Sequence, residues 1–220
     1  MVLELVAFDI ETTGFSVRDE VTVAGFAFPL GVRVFVQSGG RDASGLESRV
    51  QDRVECHVQL SVHASEAALL EAVGAFSRDR LAGDDVLLAA FNGETWRSGF
   101  DLPFLRTRLS MNDVAWPFDE VPYTDLLPVV SKRFNTTIGG DECRDLVGVY
   151  DALCGGSVGE LDPFVESSEA VAAFERGEFV ALVLHNVADV LRTRELGVLA
   201  ERYCSKSDFK LKSLTCTRNG

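Results

Sequence analysis

The chain has 220 residues, of which 46% are hydrophobic and 25% charged, a balance typical of a globular protein and not of a disordered or fibrous one. Its 34 Asp and Glu residues outnumber its 21 Lys and Arg residues, which gives a formal net charge of −13. Taken alone, such an acidic surface repels phosphate and argues against a nucleic-acid partner.

The N-terminal residues include an early Glu4 and no basic region, so they do not resemble a signal peptide. No apolar stretch approaches the roughly 20 residues that cross a bilayer. The five cysteines show no Cys-x-x-Cys spacing, and reduced cysteines are expected. We therefore expect a cytoplasmic protein that does not associate with a membrane.

In chain order, the first half of the sequence predicts mainly strands. Branched and aromatic residues bounded by turn residues indicate strands, and Ser65 is a typical N-cap. The predicted elements are a buried strand over 3–10, a hairpin over 20–28 and 32–36, a polar loop over 38–56, a strand containing His57 and His63, a helix from Ser65 and a central strand over 86–91.

The second half predicts helices, over 98–110, 126–133, 144–153, 169–176 and 178–202. Strands followed by helices favour a single α/β domain with a mixed sheet. We expect the first three strands to form a meander that is followed by a parallel crossover. The predicted domain covers residues 1–205, and residues 206–220 form a basic C-terminal tail.

Asp9 and Glu11 lie at the end of the first predicted strand. Residues two apart in a strand point to the same face, so both carboxylates enter one small volume. Like charges this close are unfavourable unless a cation neutralises them, and Mg²⁺ prefers carboxylate oxygens. On this pair alone, two ordinary surface acids are the simpler interpretation.

Three motifs together resemble those of the DEDD-type 3′–5′ exonucleases of the ribonuclease H-like superfamily. They occur in the family's order and span residues 8–191. The motifs are most similar to those of the YprB-type ribonuclease H-like branch and of the exonuclease domain of family B polymerases. The motifs are Phe8-Asp9-Ile10-Glu11-Thr12-Thr13-Gly14, then Phe91-Asn92-Gly93 followed by Gly99-Phe100-Asp101-Leu102-Pro103-Phe104-Leu105, and finally His185-Asn186-Val187-Ala188-Asp189.

The resemblance implies a ribonuclease H-like fold and a metal-dependent 3′–5′ exonuclease that acts on single-stranded DNA or RNA. It implies two divalent ions, Mg²⁺ or Mn²⁺, bridged by the scissile phosphate, and the departure of a 3′-terminal mononucleotide. The metal ligands implied by the motifs are Asp9, Glu11, Asp101 and Asp189.

The resemblance also implies a catalytic role for His185. It lies four residues before Asp189, so the two side chains share a helix face, and imidazole can take a proton from water near neutral pH. Histidine members of the family usually have a spacing of five, whereas four is the spacing of the tyrosine subclass. Three roles therefore stay open for His185: activating the water, orienting it, or packing alone.

Further residues are implied to contact the substrate. The implied set is Asn92 and Gly93 beside the 3′ nucleotide, Thr12 and Thr13 beside the terminal sugar, and Phe15, Phe100 and Phe104 as rings for base stacking. A turn closed by hydroxyl groups explains the two threonines equally well. Core packing explains Phe100 and Phe104 at least as well, and Asp125 is predicted to cap a helix or to support the metal ligands rather than to bind metal itself.

Cations near the motifs are hypothesised to line the path of the strand, with scattered surface charge as the alternative. They are Arg97, Arg106, Arg108, Lys132, Arg133, Arg192, Arg194, Arg202, Lys206, Lys210, Lys212 and Arg218. Two other functions remain open: a ribonuclease H-like module that binds nucleic acid or a partner protein without cutting, and a metal-dependent phosphatase or transferase. The complete set of four carboxylates favours the exonuclease, and no separate nucleophile or phosphate-loop motif supports the last.

Only four of the 21 cationic residues are lysines. An acidic, lysine-poor composition also resembles the surfaces of proteins from salt-loving organisms. At ~1 M salt the screening length falls to about 3 Å, so the repulsion of phosphate largely disappears.

Overall fold

The computed structural model describes residues 3–83, 85–95, 99–166 and 168–217. Seven strands form one mixed sheet in the order β4-β3-β2-β1-β5-β6-β9, and β7 and β8 form a small separate ribbon. The strands are β1 (Glu4–Thr12), β2 (Val21–Phe28), β3 (Gly31–Gln37), β4 (His57–His63), β5 (Val86–Ala90), β6 (Pro122–Asp125), β7 (Thr137–Ile138), β8 (Asp141–Glu142) and β9 (Lys212–Ser213).

The sheet begins as an antiparallel meander, because β1 pairs with β2 and β2 with β3. The chain then crosses over: β4 adds parallel to β3, β5 parallel to β1 and β6 parallel to β5. This confirms the prediction of an α/β fold with a mixed sheet, and the arrangement is compatible with a ribonuclease H-like fold.

Helices cover both faces of the sheet. Core residues of α2 and α3 pack on one face, and those of α1, α6 and α7 pack on the other. The helices are α1 (Leu46–Gln51), α2 (Glu66–Arg80), α3 (Asp101–Met111), α4 (Leu126–Arg133), α5 (Leu146–Leu153), α6 (Ser168–Arg176) and α7 (Phe179–Tyr203), with short 3₁₀ turns at Ser157–Leu161 and Lys206–Phe209.

The sequence predicted most of these elements but not all. The helix over 126–133 is confirmed, and Asp125 caps it as expected, because its Oδ1 accepts from the amide of Leu127 at 3.1 Å. The predicted loop over 38–56 contains α1, which is only six residues long and buries just Leu46 and Val50. No strand was predicted where β6 lies, since its four residues begin with a proline.

The segment set apart in the sequence as a basic tail packs with the rest of the chain. Its strand β9 pairs with β6, and Phe209 and Leu214 are buried in the core. The indole of Trp116 also donates to the carbonyl of Leu214 at 2.9 Å. Through residue 217, where the described segment ends, residue 205 therefore does not mark a change in packing.

Within the described ranges, no helix is long and apolar enough to cross a membrane.

Candidate metal centre

Four carboxylates from three separate parts of the chain line one cleft of about 330 Å³. Asp9 and Glu11 come from β1, Asp101 is the first residue of α3, and Asp189 lies on α7. Strands β1 and β5 are parallel neighbours, so their carboxyl ends lie at the same edge of the sheet. Helix α3 is the next helix after β5 and begins near this edge. The fold thus brings together the four acids of the three motifs.

A glycine lets the long helix α7 approach the sheet at this point. Gly25 on β2 lies opposite Asp9 on β1, and a side chain at Gly25 would overlap Oδ1 of Asn186. Asn186 is fully buried, and its Nδ2 donates to Oδ2 of Asp9 at 2.9 Å. This hydrogen bond holds one metal-ligand candidate and was not predicted from the sequence.

The electrostatics of the cleft reflect crowding of negative charge. Burial raises the pKa of Asp9 well above its ordinary value, and the charges of Asp101, Glu11 and Asp189 raise it further. Burial likewise raises the pKa of Glu11 to about 8 although His185 opposes the shift. Burial and the nearby acids also raise the pKa of Asp101. Such a cluster is a strong site for a cation, which would remove the repulsion.

His185 stands beside this cluster with its ring held in place. Its Nδ1 lies 2.8 Å from Oδ1 of Asp162, and its Nε2 lies 3.9 Å from Oε1 of Glu11 and 3.8 Å from Oδ2 of Asp189. Burial lowers the pKa of His185, but the hydrogen bond to Asp162 and the charges of Glu11 and Asp189 outweigh burial and raise it to about 9.

Two residues outside the motifs complete the charge network. Asp162 follows the 3₁₀ turn that ends at Leu161, and Arg192 lies one turn after Asp189 on α7. One nitrogen of Arg192, Nη1, lies 2.7 Å from Oδ2 of Asp162 and 2.7 Å from Oδ1 of Asp189. Burial raises the pKa of Asp189, and its neighbours His185 and Arg192 limit the rise.

The donor set fits a hard divalent metal. Single ligand atoms of Glu11, His185 and Asp189 lie within 4.8 Å of one another, while Arg192 engages only Oδ1 of Asp189 and leaves Oδ2 facing the cleft. Carboxylate oxygens are the ligands that Mg²⁺ prefers and that Mn²⁺ also accepts.

The residues expected to contact a sugar are engaged in turns. Thr12 donates its hydroxyl to the carbonyl of Gly14 at 2.9 Å, and the hydroxyl of Thr13 accepts from the amide of Glu20 at 2.9 Å. These bonds support the turn interpretation for both hydroxyls. Thr12 nevertheless lines the cleft.

Asn92 and Gly93 lie next to the centre. Asn92 has a positive φ of 59°, and its amide donates to Oδ1 of Asp125 at 2.9 Å. A side-chain carbon at Gly93 would lie 2.6 Å from Oδ2 of Asp101, so only glycine leaves room for that carboxylate.

The aromatic residues divide between core and cleft. Phe104 is only 3% exposed and belongs to the hydrophobic core, so its ring is not accessible for base stacking. Phe15 is 73% exposed, lines the cleft and packs edge-on against Phe100 with ring centroids 5.0 Å apart. Phe100 also lines the cleft but is half-buried, so Phe15 is the more exposed of the two rings.

Several of the hypothesised strand-binding cations contact other side chains of the protein, two of them in its interior. Arg108 is buried in an ion pair with Glu66, and Arg192 is buried between Asp162 and Asp189. Arg106 stacks over the ring of Trp116, and Lys212 pairs with Glu94. Arg97 and Arg218 lie outside the described residues.

Comparison of the chain with protein-family models and with curated proteins gave no match.

Proposed function

We propose that this protein is a metal-dependent 3′–5′ exonuclease acting on single-stranded DNA or RNA. The observation that carries the proposal is the convergence of Asp9, Glu11, Asp101 and Asp189, predicted from three separate motifs, on one cleft. Ordinary surface acids would not be expected to converge on one cleft, and a binding module does not need four clustered carboxylates, of which Glu11 and Asp101 are buried.

Each side chain has a defined task in the proposed reaction. The four carboxylates would hold two divalent ions, Mg²⁺ or Mn²⁺, which would supply activation of a water molecule and stabilisation of the leaving oxygen of the phosphodiester. Asn186 orients Asp9 through its hydrogen bond at 2.9 Å. His185 keeps its Nε2 towards the cleft. The charges of Glu11 and Asp189 help to raise its pKa to about 9 in the metal-free protein, and bound cations would offset these charges, so that Nε2 would then be able to take a proton from the attacking water.

The volume of the cleft and an exposed ring beside it favour the end of a nucleic-acid chain as substrate. At about 330 Å³ it lies at the lower end of the range of about 300–1,000 Å³ that is usual for small-ligand sites, so it suits a terminal nucleotide better than a duplex. Phe15 offers an exposed ring beside the carboxylates on which an unpaired base can stack.

We also place the protein in the cytoplasm. All five cysteines lie in the described residues and none of them forms a disulfide, which agrees with a reducing compartment.

The proposal is tested with 5′-labelled single-stranded DNA and RNA incubated with Mg²⁺ or Mn²⁺. We expect shortening from the 3′ end that stops in EDTA and falls at least about 100-fold in Asp9→Asn, because that variant removes a charged ligand. Asp79→Asn, an exposed acid on α2, is the matched control and should retain full activity.

Two outcomes would reject the exonuclease. One is the absence of metal-dependent shortening by the native protein, and the other is equal activity in Asp9→Asn. Strand binding without shortening would favour the non-cleaving ribonuclease H-like module instead.

A further inference from the structure

Asp162 is the best-connected carboxylate beside the centre, although it belongs to none of the three motifs. Its side chain is only 5% exposed. Its Oδ1 accepts from the amide of Phe164 at 3.1 Å and lies 2.8 Å from Nδ1 of His185, and its Oδ2 accepts from Nη1 of Arg192 at 2.7 Å. These donors lower its pKa against the effect of burial, so Asp162 stays ionised.

The contact with Asp162 determines how His185 presents its ring. With Nδ1 facing a carboxylate, the Nδ1 proton is held there, and Nε2 is the atom left towards the cleft. Nε2 lies 3.8 Å or more from the nearest oxygens of Glu11 and Asp189, which is too far for a hydrogen bond, so neither carboxylate occupies it. The ring of Phe164 packs against the imidazole with centroids 5.3 Å apart.

A second branch runs from Asp162 to Asp189. Nη1 of Arg192 lies 2.7 Å from both carboxylates, so a single donor group ties Oδ1 of Asp189 to the loop that carries Asp162. This contact fixes the rotation of the Asp189 carboxylate and directs its Oδ2 towards the cleft.

We propose that Asp162 is a positioning residue of the proposed exonuclease centre, which orients His185 directly and Asp189 through Arg192. The inference rests on the proposed function for its catalytic consequence, but the orientation of the ring is a property of the chain itself. The competing explanation is that Asp162 serves only as a counter-ion for the buried Arg192. That explanation requires no particular state of the His185 ring.

The first experiment measures the His185 ring without metal and without substrate. The chain has only three histidines, so the ring signals in ¹⁵N-labelled protein can be assigned with His185→Gln. We expect a slowly exchanging, strongly downfield Nδ1 proton for His185 in the native protein. It should be lost in Asp162→Asn and kept in Glu195→Gln, a matched change on α7 that removes the charge of the carboxylate accepting from the Tyr150 hydroxyl.

The second experiment measures strand shortening by the same variants. We expect kcat to fall about 10- to 100-fold in Asp162→Asn with KM changed less than about threefold, because the substrate contacts remain while the reacting groups lose their orientation. Glu195→Gln should leave both constants unchanged.

The outcomes separate this inference from the proposed function. A native protein that shortens strands, with Asp162→Asn equally active, overturns the positioning role and leaves the exonuclease intact. A native protein without nuclease activity rejects the proposed function. The presence or absence of the Nδ1 proton signal then tests the orientation of the His185 ring independently of any activity. If Asp162→Asn does not fold, the absence of a protected Nδ1 proton in the native protein still overturns the inference.

Discussion

Glu11 shows how burial and charge compete at the centre. In the unfolded chain it ionises near its ordinary pKa of 4.5, whereas in the folded protein burial raises the pKa to about 8. The folded state therefore retains a proton that the unfolded state has already lost, and the stability of the metal-free protein falls as pH rises from about 4.5 to about 8. His185 acts in the same direction, because a pKa raised to about 9 adds stability that is lost as pH rises through that value.

We predict that Glu11→Gln stabilises the metal-free protein at pH ~8, since it removes the cost of ionising a buried acid, on the order of a few kcal/mol. The melting temperature in EDTA should rise by roughly 5–10 °C and should depend less on pH between ~5 and ~8. Saturating Mg²⁺ or Mn²⁺ should stabilise the native protein more than this variant, because the variant lacks a ligand.

Glu71→Gln is the control for this effect, because Glu71 is exposed on α2 and lies outside the cleft. It should melt like the native protein at every pH. A native melting temperature in EDTA that rises between pH ~5 and ~8, with no difference from Glu11→Gln, would contradict the account of the buried acids.

At the scale of single residues, the sequence predicted the acidic residues of the cleft but not the side chains that hold the cleft residues in place. Asp9 and Glu11 share a face because of the strand period, and Asp189 shares a helix face with His185, so spacing alone reveals both pairs. Asp162 lies 23 residues before His185 in an irregular connection, and no local period links the two. The contact exists only because the chain after α5 returns over α7, which sequence spacing does not encode.

At the scale of elements, the packing of α7 on β2 depends on Gly25. We predict that Gly25→Ala destabilises the protein by roughly 1–3 kcal/mol, because its methyl group overlaps Asn186 and forces the helix or the side chain to move. Metal-dependent activity should fall with it, since Asn186 then loses its hydrogen bond to Asp9. Urea unfolding and strand shortening measure the two effects.

The double variant Gly25→Ala/Asn186→Ala checks this cause. Removing the overlapping side chain should recover part of the lost stability, so the two changes should be clearly non-additive. Gly159→Ala is the control, because a carbon added at Gly159 has no neighbour within 4 Å. Strict additivity of the two single changes would show that the overlap is not the cause.

A buried ion pair joins α2 to α3 on the other face of the sheet. Glu66 accepts from Nε of Arg108 at 2.8 Å and from the amide of Val21, at the start of β2, at 2.8 Å. We predict that Glu66→Ala lowers the free energy of unfolding by roughly 3–5 kcal/mol, because it leaves a buried guanidinium unpaired. Chemical denaturation measures the loss.

The matched control is Glu142→Ala, which breaks an exposed pair with Arg144. Exposed pairs contribute little, so this variant should unfold at the native denaturant concentration. Equal effects of Glu66→Ala and Glu142→Ala would show that burial does not govern the contribution of the pair.

Elements with a repeated apolar pattern, an apolar run or a capping residue were predictable from sequence, and several elements without such a signal were not. The 25-residue α7 repeats its apolar positions over many turns, and α4 is bounded by the capping residue Asp125. Strand β6 has four residues and gains its place only by pairing with β5 and β9. Its existence is thus determined by neighbours distant in sequence.

At the scale of the whole molecule, the acid excess has two different origins. Asp9, Glu11, Asp101 and Asp189 are gathered in the cleft, where a bound cation would offset their charge. Residues 141–189 contain 11 acids and two arginines, and most of these acids, such as Asp151 and Glu175, are exposed. The charge that opposes phosphate binding is therefore largely separate from the charge that would hold the metal.

We predict that salt stabilises the protein, because the net charge of −13 makes the folded chain repel itself. Raising KCl from about 0.1 M to about 2 M shortens the screening length to a few ångströms and should raise the melting temperature. Sucrose at equal osmolality is the control, because it is excluded from protein surfaces but screens no charge. Strand shortening should persist at high KCl if binding depends on metal coordination and stacking, since counterion release weakens simple phosphate contacts as salt rises. A melting temperature that falls with KCl, or rises equally in sucrose, would show that self-repulsion does not limit the stability of this chain.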